Sequence, residues 1–145
     1  MPQQKVEIPV PEEFKPRQRV ELADLVIEHI INRTKKGVDK NGKPFPKYSK
    51  SYEESLDFKI AGKSKGKVDL QLSGDMLAAL TLLKEKRGKL EIGYERGSDE
   101  NDRAEGNILG SYGGSPNRKK ARDFLGVEKK KLKELIEYVR ESYAD

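Results

Sequence analysis

The chain has no cysteine, no tryptophan and a single histidine among its 145 residues. Without cysteine there is no disulfide framework, no thiol nucleophile and no thiolate metal site. The lone histidine, His29, stands among polar neighbours and off the apolar stripe of its helix, so it is expected at the surface and not as a base. Long apolar runs are missing too. None approaches the about 20 residues that a membrane helix requires, and the first residues lack the charged-then-apolar pattern of a secretion signal. The expected home is a cytoplasm. Apolar side chains are scarce overall, 34% of residues against 38% charged. A chain of this length can still close one core, but a core this lean is expected to carry solvated loops or to finish itself against partners.

No stretch assembles an active site. Gly62-Lys63-Ser64 ends like a phosphate loop, yet Asp57 stands where that loop needs its upstream glycine, and a strand pattern follows. Asp39-Lys40-Asn41-Gly42 opens like a calcium loop, but its glycine comes too early and no closing glutamate follows at the right spacing. Ser73 lacks the flanking glycines and the histidine of a nucleophile elbow. The acids of 99–105 read as a solvated helix face rather than an acid/base pair. The expectation is a protein without catalysis, cofactor or metal.

What is present is organised around residues 67–95. Val68, Leu70 and Leu72 alternate with Asp69 and Gln71, the period-2 pattern of a half-buried strand. Ser73 suits a helix cap and Asp75 the positive end of a helix dipole. The apolar crowding from Met76 to Leu83 predicts a short buried helix, with Gly88 as its left-handed stop. Leu90, Ile92 and Tyr94 then resume the alternation of a strand.

On either side the chain is plainer. Pro2, Pro9, Pro11 and Pro16 exclude a helix interior over 1–16, and Val6, Ile8 and Val10 give that extended arm one apolar edge. The arm is expected to find its place on a neighbouring subunit by strand addition. Residues 17–36 carry the longest helix signal, with Val20, Ala23, Ile27, Ile30 and Thr34 at 3/4 spacing and Val26 and Ile31 widening the stripe. Residues 37–66 form a punctuated loop anchored by Phe45, Tyr48 and Tyr52, with a short helix expected within Ser51–Ile60. Asp99–Glu105 predicts one or two helical turns, and 122–127 a short extended piece with Phe124 or Leu125 facing in. From Glu128 a last helix sets Leu132, Leu135, Ile136 and Val139 on one stripe. The expected fold is α+β. A small antiparallel or mixed sheet packs against the long N-terminal helix, the short central helix and the C-terminal helix, as one domain over 17–145 preceded by the arm.

The formal charge of +5 is unevenly spread. Residues 33–67 hold eleven Lys/Arg against four Asp/Glu, and 118–133 hold eight against two. Residues 95–105 reverse the sign, with five acids against two bases. A basic balance invites a nucleic-acid reading, but the cations are diluted by Gly, Pro and Ser, with no helical stripe and no aromatic stacking pattern. The leading expectation is a partner-facing surface, in which Asp99, Glu100 and Asp102 meet either Lys119, Lys120 and Arg122 or the 33–67 segment of a neighbour.

Three blocks, taken in order, resemble the tailed-phage virion-morphogenesis family of tail-completion and neck proteins. The first is Gly37-Val38-Asp39 through Gly42-Lys43-Pro44-Phe45 with Tyr48, similar to a glycine turn followed by a proline and an aromatic. The second is Leu72-Ser73-Gly74-Asp75-Met76-Leu77, followed by Ile92-Gly93-Tyr94 where the family places an isoleucine-glycine strand. The third is Arg122-Asp123-Phe124-Leu125-Gly126. Phe45 replaces the commoner tryptophan, and Lys-Lys-Ala replaces the proline before the last arginine. The resemblance covers residues 18–127. It implies a structural, non-enzymatic protein of the head–tail junction, forming a ring of six or twelve copies. Tail-tube and head-connector proteins would be its partners, with genomic DNA within reach of the lumen and no membrane contact. Interface candidates are then Val6, Ile8, Val10, Phe45, Tyr48, Asp99, Glu100, Asp102, Lys119, Lys120 and Arg122. The motif residues are Leu72, Ser73, Gly74, Leu77, Gly93, Phe124, Leu125 and Gly126. The alternatives are a basic nucleic-acid-binding accessory protein or another neck component, an adaptor or stopper.

Overall fold

A computed structural model describes residues 2–46, 75–111, 115–117 and 121–143. Within them the chain is α+β. Strand β1 (Lys5–Pro9) and helix α1 (Pro16–Lys35) are followed by a one-turn helix α2 (Asp75–Ala78). Strands β2 (Thr81–Lys86) and β3 (Lys89–Gly93) come next, then helix α3 (Asp99–Leu109) and helix α4 (Lys129–Ser142). The strand pattern at 68–72, the Ser73 cap and the helix expected within 51–60 lie outside the described residues.

The sheet is antiparallel throughout, in the order β1-β3-β2. Ile8 lies opposite Leu90 and Val6 opposite Ile92, so one apolar face is built from two strands far apart in sequence. The N-terminal stretch is therefore extended, as its prolines require, but it is not an arm awaiting a neighbour. Ile8, Val10 and Phe14 are buried in the chain's own core, and Val6 packs against that core. Asn101 clamps the start of the strand, accepting the Gln4 amide at 2.7 Å and donating to the Pro2 carbonyl at 3.0 Å. The central strand leaves no room beside it at Gly93. A Cβ there would lie 2.7 Å from Lys5 Cα, so glycine is required for the pairing to close.

The helix expected from Met76 to Leu83 ends at Ala78, and Thr81–Lys86 is a strand. A short apolar run is ambiguous by periodicity alone. The decision falls to the hairpin, in which Lys86 pairs with Lys89 across Arg87-Gly88 and Gly88 adopts φ +81°. Gly88 is thus a hairpin residue and not a helix stop. A register shift between Leu82 and Lys84 lets Glu85 oppose Leu90 on the helix-facing side. There Glu85 pairs with the buried Arg19 of α1, which also donates to the Phe14 carbonyl at 2.6 Å.

Helix α1 covers the apolar face of the sheet with Leu22, Ala23, Val26 and Ile30, all fully buried. Its stripe is rotated from the expected one, since Val20 is 44% exposed and Leu22 takes the central place. Helix α4 lies antiparallel along α1. Glu128, its N-cap, meets Arg33 near the C-terminus of α1, while Arg140 near its C-terminus meets Glu13 just before α1. The expected α4 stripe is the packed one, with Val139 fully buried and Leu132, Leu135 and Ile136 against the core. Helix α3 runs three turns rather than one or two, capped by the Ser98 hydroxyl, which accepts from the Asn101 amide, and closed by Gly110 at φ 69°.

Candidate functional site

Among the described residues, three surfaces and one internal junction stand out. The junction joins the first and third blocks of the sequence. The Lys40 amide donates to the Asp123 carbonyl at 3.0 Å, and Lys40 Nζ pairs with the Asp123 carboxylate at 2.8 Å. Arg122, 9% exposed, donates through Nε to the Pro46 carbonyl at 3.2 Å. Arg122 is therefore a residue of the junction and not a surface partner for a neighbour's acids. Phe124 is fully buried and meets Tyr94 edge-on, with ring centroids 6.4 Å apart. Phe124 and Leu125 both face in, although 121–127 forms no strand. A Cβ at Gly126 would touch the Lys40 side chain at 3.0 Å, so the glycine lets the two segments close. Phe45 is buried here as well, which makes it an anchor rather than an interface residue. Leu77 belongs to the same core. Tyr48, Leu72, Ser73, Gly74, Lys119 and Lys120 lie outside the described residues.

The junction continues into α1. Arg33 is 6% exposed and donates to Glu128 and to the Phe124 carbonyl, each at 2.6 Å. His29 is not a surface residue. Its side chain is 19% exposed, and its Nε2 is buried without a hydrogen bond, 3.6 Å from Glu128. Burial, followed by the nearby Arg33 charge, holds the imidazole below its ordinary pKa, against the opposing pull of Glu128. Desolvation pushes the Glu128 carboxyl up, but the Arg33 hydrogen bond, a backbone hydrogen bond and the Arg33 and His29 charges together keep the group below the usual carboxylate value.

The first surface lies outside this junction and is basic. Lys35, Lys36, Lys43, Lys129 and Lys130 are exposed at one end of the α1–α4 pair. The acids nearby are already engaged: Asp123 by Lys40, Glu128 by Arg33, and Asp39 by the Asn41 and Lys43 amides. The described lysines of the two basic segments, Lys35, Lys36 and Lys43 from the first and Lys129 and Lys130 from the second, all lie at this end.

The second surface is the first turn of α3. Asp99 and Asp102 are exposed and Glu100 half-exposed. The predicted acidic face is real, on a helix whose dipole favours it. The third surface is at the far end of the α1–α4 pair, an open groove of 540 Å³ lined by Pro16, Arg17, Val20, Glu21, Asp24 and Tyr143. Arg17 sits 5.4 Å over the Tyr143 ring, and Tyr138 nearby is 57% exposed. Sequence reasoning missed this groove because it assigned Val20 to the core stripe.

Among the described residues no group of three His, Asp or Glu side chains could hold a metal ion, and no helix is long and apolar enough to cross a membrane. Comparison with family models, curated proteins and solved structures finds no match to this chain.

Proposed function

We propose that this chain is a structural subunit of the tailed-phage head–tail junction, a ring-forming tail-completion or neck component. It would complete the tail and help join it to the DNA-filled head, residing in the virion and, during assembly, in the host cytoplasm. The observation that carries this reading is the packing of the resembling blocks against one another. The 37–45 turn is bonded to the 122–126 block through Lys40 and Asp123. Phe124 of that block packs on Tyr94, which follows the Ile92-Gly93 strand. Leu77 from the second block completes the same core. Motifs that are weak one by one gain weight when they form a single packed unit.

Ring closure calls for two unlike surfaces on one subunit, since head-to-tail contacts are heterologous. The Val20–Tyr143 groove offers an apolar surface and the acidic turn of α3 a charged one, each to be matched by a complementary face of a neighbouring subunit. Native mass spectrometry of the purified full chain, alone and with the tail-tube protein of the same phage, tests the proposal. A closed ring of six or twelve copies, formed alone or on the tube protein, is the expected result. A chain that stays monomeric under both conditions overturns it.

A further inference from the structure

We infer that the basic end of the α1–α4 pair is a binding surface for the phosphate backbone of double-stranded nucleic acid. The inference does not rest on the ring reading, since a monomer would present the same surface. Five exposed lysines come together there from three elements: Lys35 and Lys36 at the end of α1, Lys43 in the 38–44 turn, and Lys129 and Lys130 in the first turn of α4. None of the five makes an ion pair among the described residues. Their neighbouring carboxylates are consumed internally by Lys40 and Arg33. The positive charge is thus uncompensated by design of the local contacts.

Two features tell against an accidental solvated face. The first turn of α4 holds Lys129, Lys130 and Lys131 and no acid, where the helix dipole disfavours cations. Lys131 pairs with Glu134 at 3.9 Å, but Lys129 and Lys130 gain no such partner among the described residues. A local rule broken without internal gain is the mark of a functional surface, and an anion docked there would reverse the penalty, meeting both the lysines and the helix N-terminus. Second, the exposed large apolar side chains among the described residues, Val20, Leu109, Tyr138 and Tyr143, all lie on other turns. A stable protein interface has an apolar centre. A patch of lysines alone suits the repeated charge of a phosphate backbone, and ammonium groups without arginine forks contact it without reading sequence.

The test is fluorescence anisotropy of a short labelled DNA duplex of mixed sequence with the full-length chain, titrated from about 50 to 200 mM salt. Contact with four or five phosphates predicts a slope of log affinity against log salt of about −4, a loss of roughly 250-fold over that range. Reversing Lys35, Lys36, Lys129 and Lys130 to Glu should weaken binding at low salt by more than about tenfold. Reversing Lys15, Lys84, Lys86 and Arg87, exposed at the hairpin end and giving the same net charge, should change it by less than about threefold. Circular dichroism melts of both variants, and of the milder set with Gln in place of Glu, separate lost binding from lost folding. Absence of binding by the native chain, or equal loss in the two reversed variants, overturns the inference. So does a basic-end variant that binds DNA normally but no longer self-associates, which would assign this end to an acidic protein surface.

Discussion

The two ends of the α1–α4 pair are joined by opposite means. At the basic end the fastening is internal. Arg33 is almost wholly buried and spends its guanidinium on Glu128 and a backbone carbonyl, while the cations left outside are lysines. At the groove end the fastening is on the surface, through Arg140 to Glu13 at 2.9 Å and Arg17 over Tyr143, and the apolar side chains face outward. The same two helices therefore present a charged outside over a sealed inside at one end, and an apolar outside over solvated ion pairs at the other. The first is the surface proposed above for a polyanion, the second the one proposed for another subunit.

The largest effect expected in stability comes from breaking the internal fastening. Arg33→Met should cost about 2–4 kcal/mol, because it leaves the Phe124 carbonyl and Glu128 without their partner. The lower half of that range is favoured because Glu128 keeps 34% of its side-chain exposure. Urea melts with unchanged slope would measure it. A loss below about 0.5 kcal/mol would mean that the two ends are fastened alike.

Next comes the outward apolar face. Val20→Asp combined with Tyr143→Ser should leave the melt nearly unmoved while weakening self-association by about tenfold or more, each tenfold corresponding to about 1.4 kcal/mol of contact energy. Sedimentation velocity decides this. Unchanged association with a lowered melting temperature would show that the groove is a packing surface instead.

The pH response should also distinguish the ends. The folded chain holds His29 below its ordinary value near 6.5, whereas the unfolded chain does not. Above that value both states are neutral and the full stability is present. As pH falls through it, the unfolded state takes up a proton first, and stability declines until the folded imidazole also titrates. Melting temperature should therefore drop between neutral pH and mildly acidic pH, and His29→Gln should flatten that part of the curve. The groove end has its shifted carboxyl in Glu13, lowered by its own backbone hydrogen bond and then by Arg140. Its contribution is lost only below the ordinary carboxylate value. A native curve that is already flat above pH 5 would contradict the buried placement of His29.

A smaller effect is a gain. Lys129→Glu with Lys130→Glu exchanges cations for anions at a helix N-terminus and should stabilise by about 0.3–1 kcal/mol per site, in a variant that binds DNA more weakly. Destabilisation would remove the argument that these lysines are kept at a cost. Arg140→Ala, at the exposed end, should leave the melt within error of the native chain.

Much of the secondary structure was legible because it depends on local chemistry. Pro16 and the 3/4 apolar spacing placed α1, the stripe from Leu132 to Val139 placed α4, and alternation placed β3. Asp99, Glu100 and Asp102 were readable as an exposed helix start for the same reason. The failures share another cause. Val6, Ile8 and Val10 form a strand whichever chain they pair with, and only the Gly93 notch and the Asn101 clamp bring them onto their own sheet. Thr81-Leu82-Leu83 suits helix or strand, and the Gly88 hairpin chose strand. Arg33 and Arg122 look like surface cations because nothing local reveals the carbonyls of Phe124 and Pro46, which lie 91 and 76 residues away.

By itself, then, the sequence determined the composition of the class, α+β with a lean core, the positions of the long helices and the sign of each charged segment. Backbone propensity, periodicity and charge are properties of neighbours along the chain. Tertiary structure alone decided that the N-terminal strand is internal, that the lysines at the end of α1 and at the start of α4 lie at one end of the helix pair, and that Val20 and Tyr143 meet across a groove. Each of these depends on which distant backbone groups and side chains come within hydrogen-bond or contact distance, and no local preference carries that information.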